Sequence, residues 1–155
     1  MPEGWTICRL EDIVSYEQPT QFIVRSTKYS NDFSTPVLTA GKSFILGYTN
    51  EEQGIYDKLP TIIFDDFTTD SKLVDFPFKV KSSAMKILQV AKEVNIHYVA
   101  YFMSITRLMG DTHKRYWISE YSKIPIPLPP VKEQERIVNA IQEIEERLNT
   151  ITEEL

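Results

Sequence analysis

The side chains best placed to act together chemically lie in one short stretch, Phe64-Asp65-Asp66-Phe67-Thr68-Thr69-Asp70-Ser71-Lys72. A metal-dependent nuclease can use acids at the end of one strand, and an acid with a lysine on the next, to hold Mg2+ and orient a water. Asp66, Asp70 and Lys72 could take those roles. The spacing is too short for two adjacent strands, however, and reads more naturally as a turn whose Asp and Thr side chains bond to the backbone. Zinc needs clustered Cys and His, and the chain has one Cys, Cys8, and two His, His97 and His113. None of its five glycines falls in a dinucleotide or phosphate-loop pattern. No Ser sits in a nucleophile turn, and a methyltransferase carrying its own cofactor does not fit into 155 residues. Apart from that acidic turn, the residues offer no pattern for a catalytic centre or a metal site. They point to binding.

Three clusters suit a polyanion. Lys79, Lys81, Ser82, Ser83 and Lys86 alternate through an extended stretch, and a period of two puts Lys79 and Lys81 on one strand face. Lys114-Arg115-Tyr116 joins two cations to an aromatic ring, and Gly41-Lys42-Ser43 reads as a tight turn with an amide, an amine and a hydroxyl for phosphate. The net charge of −5 argues against such a partner until it is divided. Residues 1–78 carry six Lys and Arg against twelve Asp and Glu, residues 79–123 eight against three, and residues 124–155 three against seven. A basic middle between acidic flanks permits contact through one face, with modest unaided affinity. Solvated surface lysines are the plain alternative.

The elements that must carry these residues are short. Ile7-Cys8-Arg9-Leu10, Gln21–Arg25, Pro36–Leu38, Ser43–Tyr48, Thr61–Phe64 and Leu73–Val80 are β-branched or aromatic runs separated by Ser, Thr, Asn, Asp and Gly. Pro77 favours an edge or bulge. Ala84–Val90 reads as a further strand, and Tyr116-Trp-Ile as the start of another. Cys8 fits as a buried small apolar residue, and Trp5 as cover for the core. From Asn95, a fitting N-cap, Ile96, Val99, Phe102 and Met103 recur at helical spacing, which predicts a helix reaching Leu108 or Met109 and stopping at Gly110. His97 lies on it as a structural side chain. Prolines at 125, 127, 129 and 130 deny a helix up to that point. Beyond them Ile137, Ile141, Ile144, Leu148, Ile151 and Leu155 repeat at alternating steps of four and three, the a/d seam of a coiled coil.

The expected fold is α+β: a β-rich head over 1–123 with one or two packed helices, a proline strap over 124–130, and a coiled-coil helix over 131–155. That rod, about 37 Å long, needs a partner helix or must fold back on its own head. No run approaches eighteen apolar residues, and Met-Pro-Glu-Gly-Trp lacks the regions of a signal peptide, so a cytoplasmic protein with no membrane partner is expected.

The chain resembles the specificity subunit of type I restriction–modification systems, in particular one half of it. Pro2-Glu3-Gly4-Trp5 with Leu10-Glu11-Asp12-Ile13 resembles the start of a target recognition domain in that family. Ile118-Ser119, Ile124-Pro-Ile-Pro-Leu-Pro-Pro130 and Glu133-Gln134 through Ile137-Val138 resemble its strap and the first turns of its spacer helix. Thr35–Ser43 and Ile63–Thr69 are similar to one subgroup.

The resemblance implies a protein that does no chemistry and binds no cofactor. It reads double-stranded DNA and binds a methyltransferase subunit, which uses S-adenosylmethionine, and through it an ATP-driven motor-nuclease subunit. With one recognition domain and one helix, self-pairing as a homodimer implies a palindrome interrupted by a spacer. On that reading Lys79, Lys81, Lys114 and Arg115 contact DNA. Thr39, Lys42, Thr68, Thr69, Tyr48 and Tyr116 are further candidates, each of which could instead complete the fold. Ile137, Ile141, Ile144, Leu148, Ile151 and Leu155 bury against a partner helix. The competing readings are a homodimeric coiled-coil adaptor without DNA specificity and the small metal-dependent nuclease.

Overall fold

A computed structural model describes residues 2–108 and 114–154. The chain runs through β1 (Thr6–Arg9), α1 (Leu10–Ile13), β2 (Val14–Glu17), β3 (Thr35–Leu38), β4 (Ile45–Thr49), β5 (Thr61–Asp65) and β6 (Ser71–Val74). It continues through β7 (Lys79–Val80), β8 (Met85–Val90), α2 (Ile96–Ser104), β9 (Pro125–Leu128) and α3 (Val131–Glu154). Among the described residues this is the mixed α+β architecture read from the sequence.

A four-stranded antiparallel sheet in the order β2-β8-β5-β6 forms the centre. Side chains alternate across a strand, so β5 feeds two cores. Ile62 and Phe64 join Leu10, Val99, Met103 and Trp117 under α2, while Ile63 joins Leu38, Phe78, Val80 and Ile87. The second core is closed by a three-stranded sheet, β4-β3-β7, in which β3 pairs antiparallel with β4 and parallel with β7. With both faces covered, Thr61–Phe64 are all buried, which explains their uninterrupted apolar run. Phe64 packs its ring 5.2 Å from Trp117 and 4.7 Å from Tyr121. Each such pair adds about 0.5–1.5 kcal/mol to the burial of its area.

The elements differ from the expected ones where a distant partner intervenes. Gln21–Arg25 is not a strand: Pro19 starts a 3-10 turn over Thr20–Phe22, and Ile23 alone bridges to Val80. The run Leu73–Val80 breaks at residues 75–78, because β6 belongs to the central sheet and β7 to the other. Residues 66–70 are enough to turn a hairpin, so β5 and β6 are adjacent strands after all. Asp65 caps that turn by accepting hydrogen bonds from the amides of Phe67 (2.8 Å) and Thr68 (3.1 Å). Helix α2 stops at Ser104 instead of Leu108, with the Thr106 carbonyl accepting a 2.6 Å hydrogen bond from the Tyr121 hydroxyl. The expected stop at Met109 and Gly110 lies outside the described residues, as does His113. Tyr116 and Trp117 form a turn instead of a strand, their amides held by a carboxylate described below.

The proline segment is a strand, not only a strap. Pro cannot donate to a ladder, but alternate positions leave the pairing of β9 with β1 intact. Helix α3 begins directly after it, at Val131. Gln134, fully buried, locks the junction: its side chain accepts from the Asn95 amide at 2.9 Å and donates to the Pro129 carbonyl at 2.8 Å. The first half of the seam folds back on the head, since Ile137 and Ile141 are half-buried in a groove with Tyr98, Tyr101 and Phe102 of α2. The Tyr101 hydroxyl donates to Glu145 at 3.0 Å. Beyond this point Ile144, Leu148 and Ile151 are 57, 57 and 54% exposed. Leu155, the last seam position, lies outside the described residues.

Candidate nucleic-acid interface

Four loops meet at one end of the two sheets, where β3, β5 and β7 finish and β4, β6 and β8 begin. The Lys81 amide donates to the Leu38 carbonyl at 3.2 Å, tying the segment after β7 to the β3–β4 turn. The Asp66 amide donates to the Ala84 carbonyl at 2.9 Å, tying in the β5–β6 turn, and the Tyr116 amide donates to the Asp66 carbonyl at 2.9 Å, adding the loop that leads to β9. The Leu108 amide reaches the Thr69 hydroxyl at 3.0 Å. These links make one continuous rim. On it sit Thr39, Lys42, Lys81, Thr68, Arg107, Lys114 and Arg115.

The rim's cations are engaged to different degrees. Among the described residues Lys42 and Lys81 are exposed and form no ion pair. Arg107 bonds Asp70 at 2.9 Å and the Thr68 carbonyl at 3.3 Å. Lys114 is held by Glu120, whose hydrogen bond raises the ammonium above its ordinary pKa. The Arg115 guanidinium lies over the Phe67 ring, 5.0 Å from its centroid, and 3.8 Å from Asp66. Sequence patterning missed Arg107. Its signal was a lone basic residue just past a helix, which is too common to single out.

Other sequence candidates have structural duties. Lys79 is 2% exposed; its ammonium donates to the Gln53 carbonyl at 2.6 Å and pairs with Glu51 at 3.1 Å. It therefore does not share an open face with Lys81: alternation assigns faces, but not what covers them. Partial burial alone would raise Glu51, yet the amides of Arg25 and Ser26 and the Lys79 ammonium outweigh it and hold the carboxyl below its ordinary value. Thr69 is buried with a left-handed backbone (φ 62°) that closes the β5–β6 turn. Tyr116 is buried in the first core. Tyr48 sits opposite Pro36, towards the other end of β3 from the rim. Thr39 and Thr68 remain at the rim, each bonded within its own turn: Thr39 donates to the Ser43 carbonyl at 3.1 Å and Thr68 to Asp70 at 2.9 Å.

Asp66 is the acid that the nuclease reading needed, and its geometry serves the fold. It is 1% exposed, and Oδ1 accepts from the amides of Tyr116 (3.1 Å) and Trp117 (2.8 Å). Its Oδ2 faces Lys86, also buried, at 3.7 Å, and Lys86 in turn lies 4.7 Å from the centre of the Tyr16 ring. A carboxylate so enclosed cannot present itself to a solvated ion. Among the described residues no group of three or more His, Cys, Asp or Glu is arranged to hold a metal.

Comparisons with known proteins give the family and the fold. A family model described as the type I restriction modification DNA specificity domain matches residues 2–155. The specificity subunit of the Escherichia coli type I restriction enzyme EcoR124I/EcoR124II is 46% identical over 155 residues, covering 94% of this chain and 38% of that protein. The HsdS subunit of Thermoanaerobacter tengcongensis shares the fold at a TM-score of 0.65 and 14% identity, over 99% of this chain and 40% of that one. The type I S subunit of M. genitalium does so at 0.68 and 16%, over 96% and 41%. The chain thus spans about two fifths of the length of each.

Proposed function

The chain belongs to the family of type I restriction–modification DNA specificity domains, and from that premise we propose that its head reads one half of a bipartite duplex target. The family contributes specificity, not catalysis. The observation that carries the reading is the rim, a single hydrogen-bonded run of four loops that bears five cations on a chain of net charge −5. Phosphate contacts position a protein on DNA and base-edge contacts select sequence, and a rim of loops at the sheet ends can enter the major groove to do both. Lys42 and Lys81 hold phosphates, and Arg107, Lys114 and Arg115 stand closer to the groove. The modest positive surface fits a protein that binds DNA together with a methyltransferase subunit, which brings S-adenosylmethionine and much of the non-specific grip. A motor-nuclease subunit joins through that complex.

Replacing Lys42 and Lys81 together by Ala tests the interface. Affinity of the methyltransferase complex for duplex DNA is expected to fall on all sequences alike, with the salt slope reduced by about two. An unchanged slope would place the phosphate grip elsewhere.

The exposed end of α3 is read as the assembly element. Ile144, Leu148 and Ile151 continue a seam whose first half is already packed on α2, and an apolar stripe of this width is satisfied by one further helix. A second copy placed antiparallel sets two identical heads on one duplex, so the target is an interrupted palindrome. Changing Ile144 and Leu148 to Asp places charges in the seam and is expected to give monomers by sedimentation with the head still folded. A dimer that survives this change is held by another surface.

A further inference from the structure

The rim cations differ in one respect that bears on which of them reads a base. Arg107 spends Nη2 on Asp70 and the Thr68 carbonyl, and the Lys114 ammonium is paired with Glu120. Lys42 and Lys81 are long, exposed chains with nothing to fix their direction. Arg115 combines a placement fixed by a ring and a buried carboxylate with a guanidinium that makes no hydrogen bond among the described residues. Its guanidinium carbon lies over the Phe67 ring, one terminal nitrogen faces Asp66, and its side chain is 52% exposed. A guanidinium has five N–H donors in a planar fork.

The support under it is rigid. Asp66 lies in a fully buried position between Lys86 and Arg115, and its other oxygen holds the backbone of Tyr116 and Trp117, the two residues that follow Arg115. One carboxylate thus fixes both the loop that carries the arginine and the edge of its guanidinium. The charges also matter: one carboxylate between a lysine ammonium and an arginine guanidinium leaves a net positive charge, and only the Arg115 side of the trio reaches the surface. An arginine held by a stack and an ion pair loses less freedom on binding than a free one. The bidentate match for an open fork in the major groove is O6 and N7 of guanine.

We propose that Arg115 is a specificity-determining residue that reads a guanine in the half-site, and that Asp66 and Phe67 are its positioning residues. This rests on the DNA-reading role proposed above and adds to it which base class is read and how the reader is held.

The test is selection from a randomised DNA duplex pool by the complex of the full chain with its methyltransferase subunit, comparing wild type with Arg115→Ala, Arg115→Lys, Phe67→Leu, Phe67→Trp and Asp66→Asn. One G·C position of the half-site is expected to lose roughly 5- to 150-fold of its discrimination in Arg115→Ala and, more weakly, in Phe67→Leu, with every other position unchanged. Phe67→Trp, which keeps a ring under the guanidinium, should restore the preference, and Arg115→Lys should not. A merely structural role for Phe67 would lower binding on all sequences and leave the base preference intact. If Arg115→Ala weakens binding uniformly and lowers the salt slope by about one, the arginine is a phosphate contact and the proposal fails while the DNA-reading role stands. Should the wild-type complex select no motif, both fall. Asp66→Asn keeps the oxygen that holds the loop. A folded Asp66→Asn protein with undiminished discrimination at that position would remove Asp66 from the positioning pair.

Discussion

Lys79 lies inside the head with its ammonium on Glu51 and the Gln53 carbonyl, whereas Arg115 stands at the rim with its guanidinium over Phe67 and its donors open. Both are basic residues beside a carboxylate, both come from the basic middle of the chain, and charge counting treats them alike. Burial separates them. A cation enclosed by its partners stabilises the fold only through those partners, and it has nothing left to offer a phosphate. One held at its base but open at its tip can serve a ligand at little cost to the fold. The carboxylates differ in parallel: Glu51 is a fold contact, while Asp66 links the fold to the rim.

The sharpest test of that difference is Asp66→Ala. It leaves Lys86 buried without a counter-charge and two amides without an acceptor, so a loss of about 3–5 kcal/mol is expected, measured as a lower denaturation midpoint with unchanged slope. Lys79→Met comes next, at about 1–3 kcal/mol, because Glu51 is partly exposed and keeps two backbone amides. Its DNA affinity and salt slope should match wild type once folding is accounted for, and a reduced salt slope would break the contrast with the rim. The same variant changes acid sensitivity. Glu51 is held below its ordinary value, so its contribution is complete above the carboxylate range and lost as pH falls through the folded value. Removing Lys79 removes part of that lowering, and the stability loss between about pH 5 and 3 should become shallower than in wild type. Arg115→Ala is expected to alter stability least, within about 0.5 kcal/mol, despite its effect on base discrimination. A loss as large as that of Asp66→Ala would make Arg115 part of the core network.

Much of the architecture was legible because its causes are local. The prolines from 125 to 130 and the four-three spacing beyond them specify an extended segment and then a helix from Val131, and most of the short β-branched runs between polar turns mark strands. What escaped has non-local causes. Helix α2 ends where Tyr121, seventeen residues beyond Ser104, meets the Thr106 carbonyl. Lys79 is closed off by Glu51, twenty-eight positions earlier. The seam of α3 is a uniform pattern in sequence, yet Ile137 and Ile141 pack on the head while Ile144 and Leu148 do not, because the α2 surface runs out. At the rim, Lys114-Arg115-Tyr116 was visible as a basic and aromatic cluster, but the roles within it were not: the tyrosine is core, and the arginine stacks on Phe67 from another loop. Asp66 was visible as a side chain that bonds to backbone, but not which backbone, since the amides it holds lie fifty residues away.

The central claim, that this chain directs a methyltransferase by reading DNA with its head, is tested most directly by a single-molecule map of methylated bases. Cells expressing the chain with its methyltransferase subunit are compared with cells lacking the chain. A new interrupted palindromic motif that depends on the chain is the predicted result. An active methyltransferase that acquires no new motif when the chain is present would contradict it and favour a coiled-coil adaptor without DNA specificity.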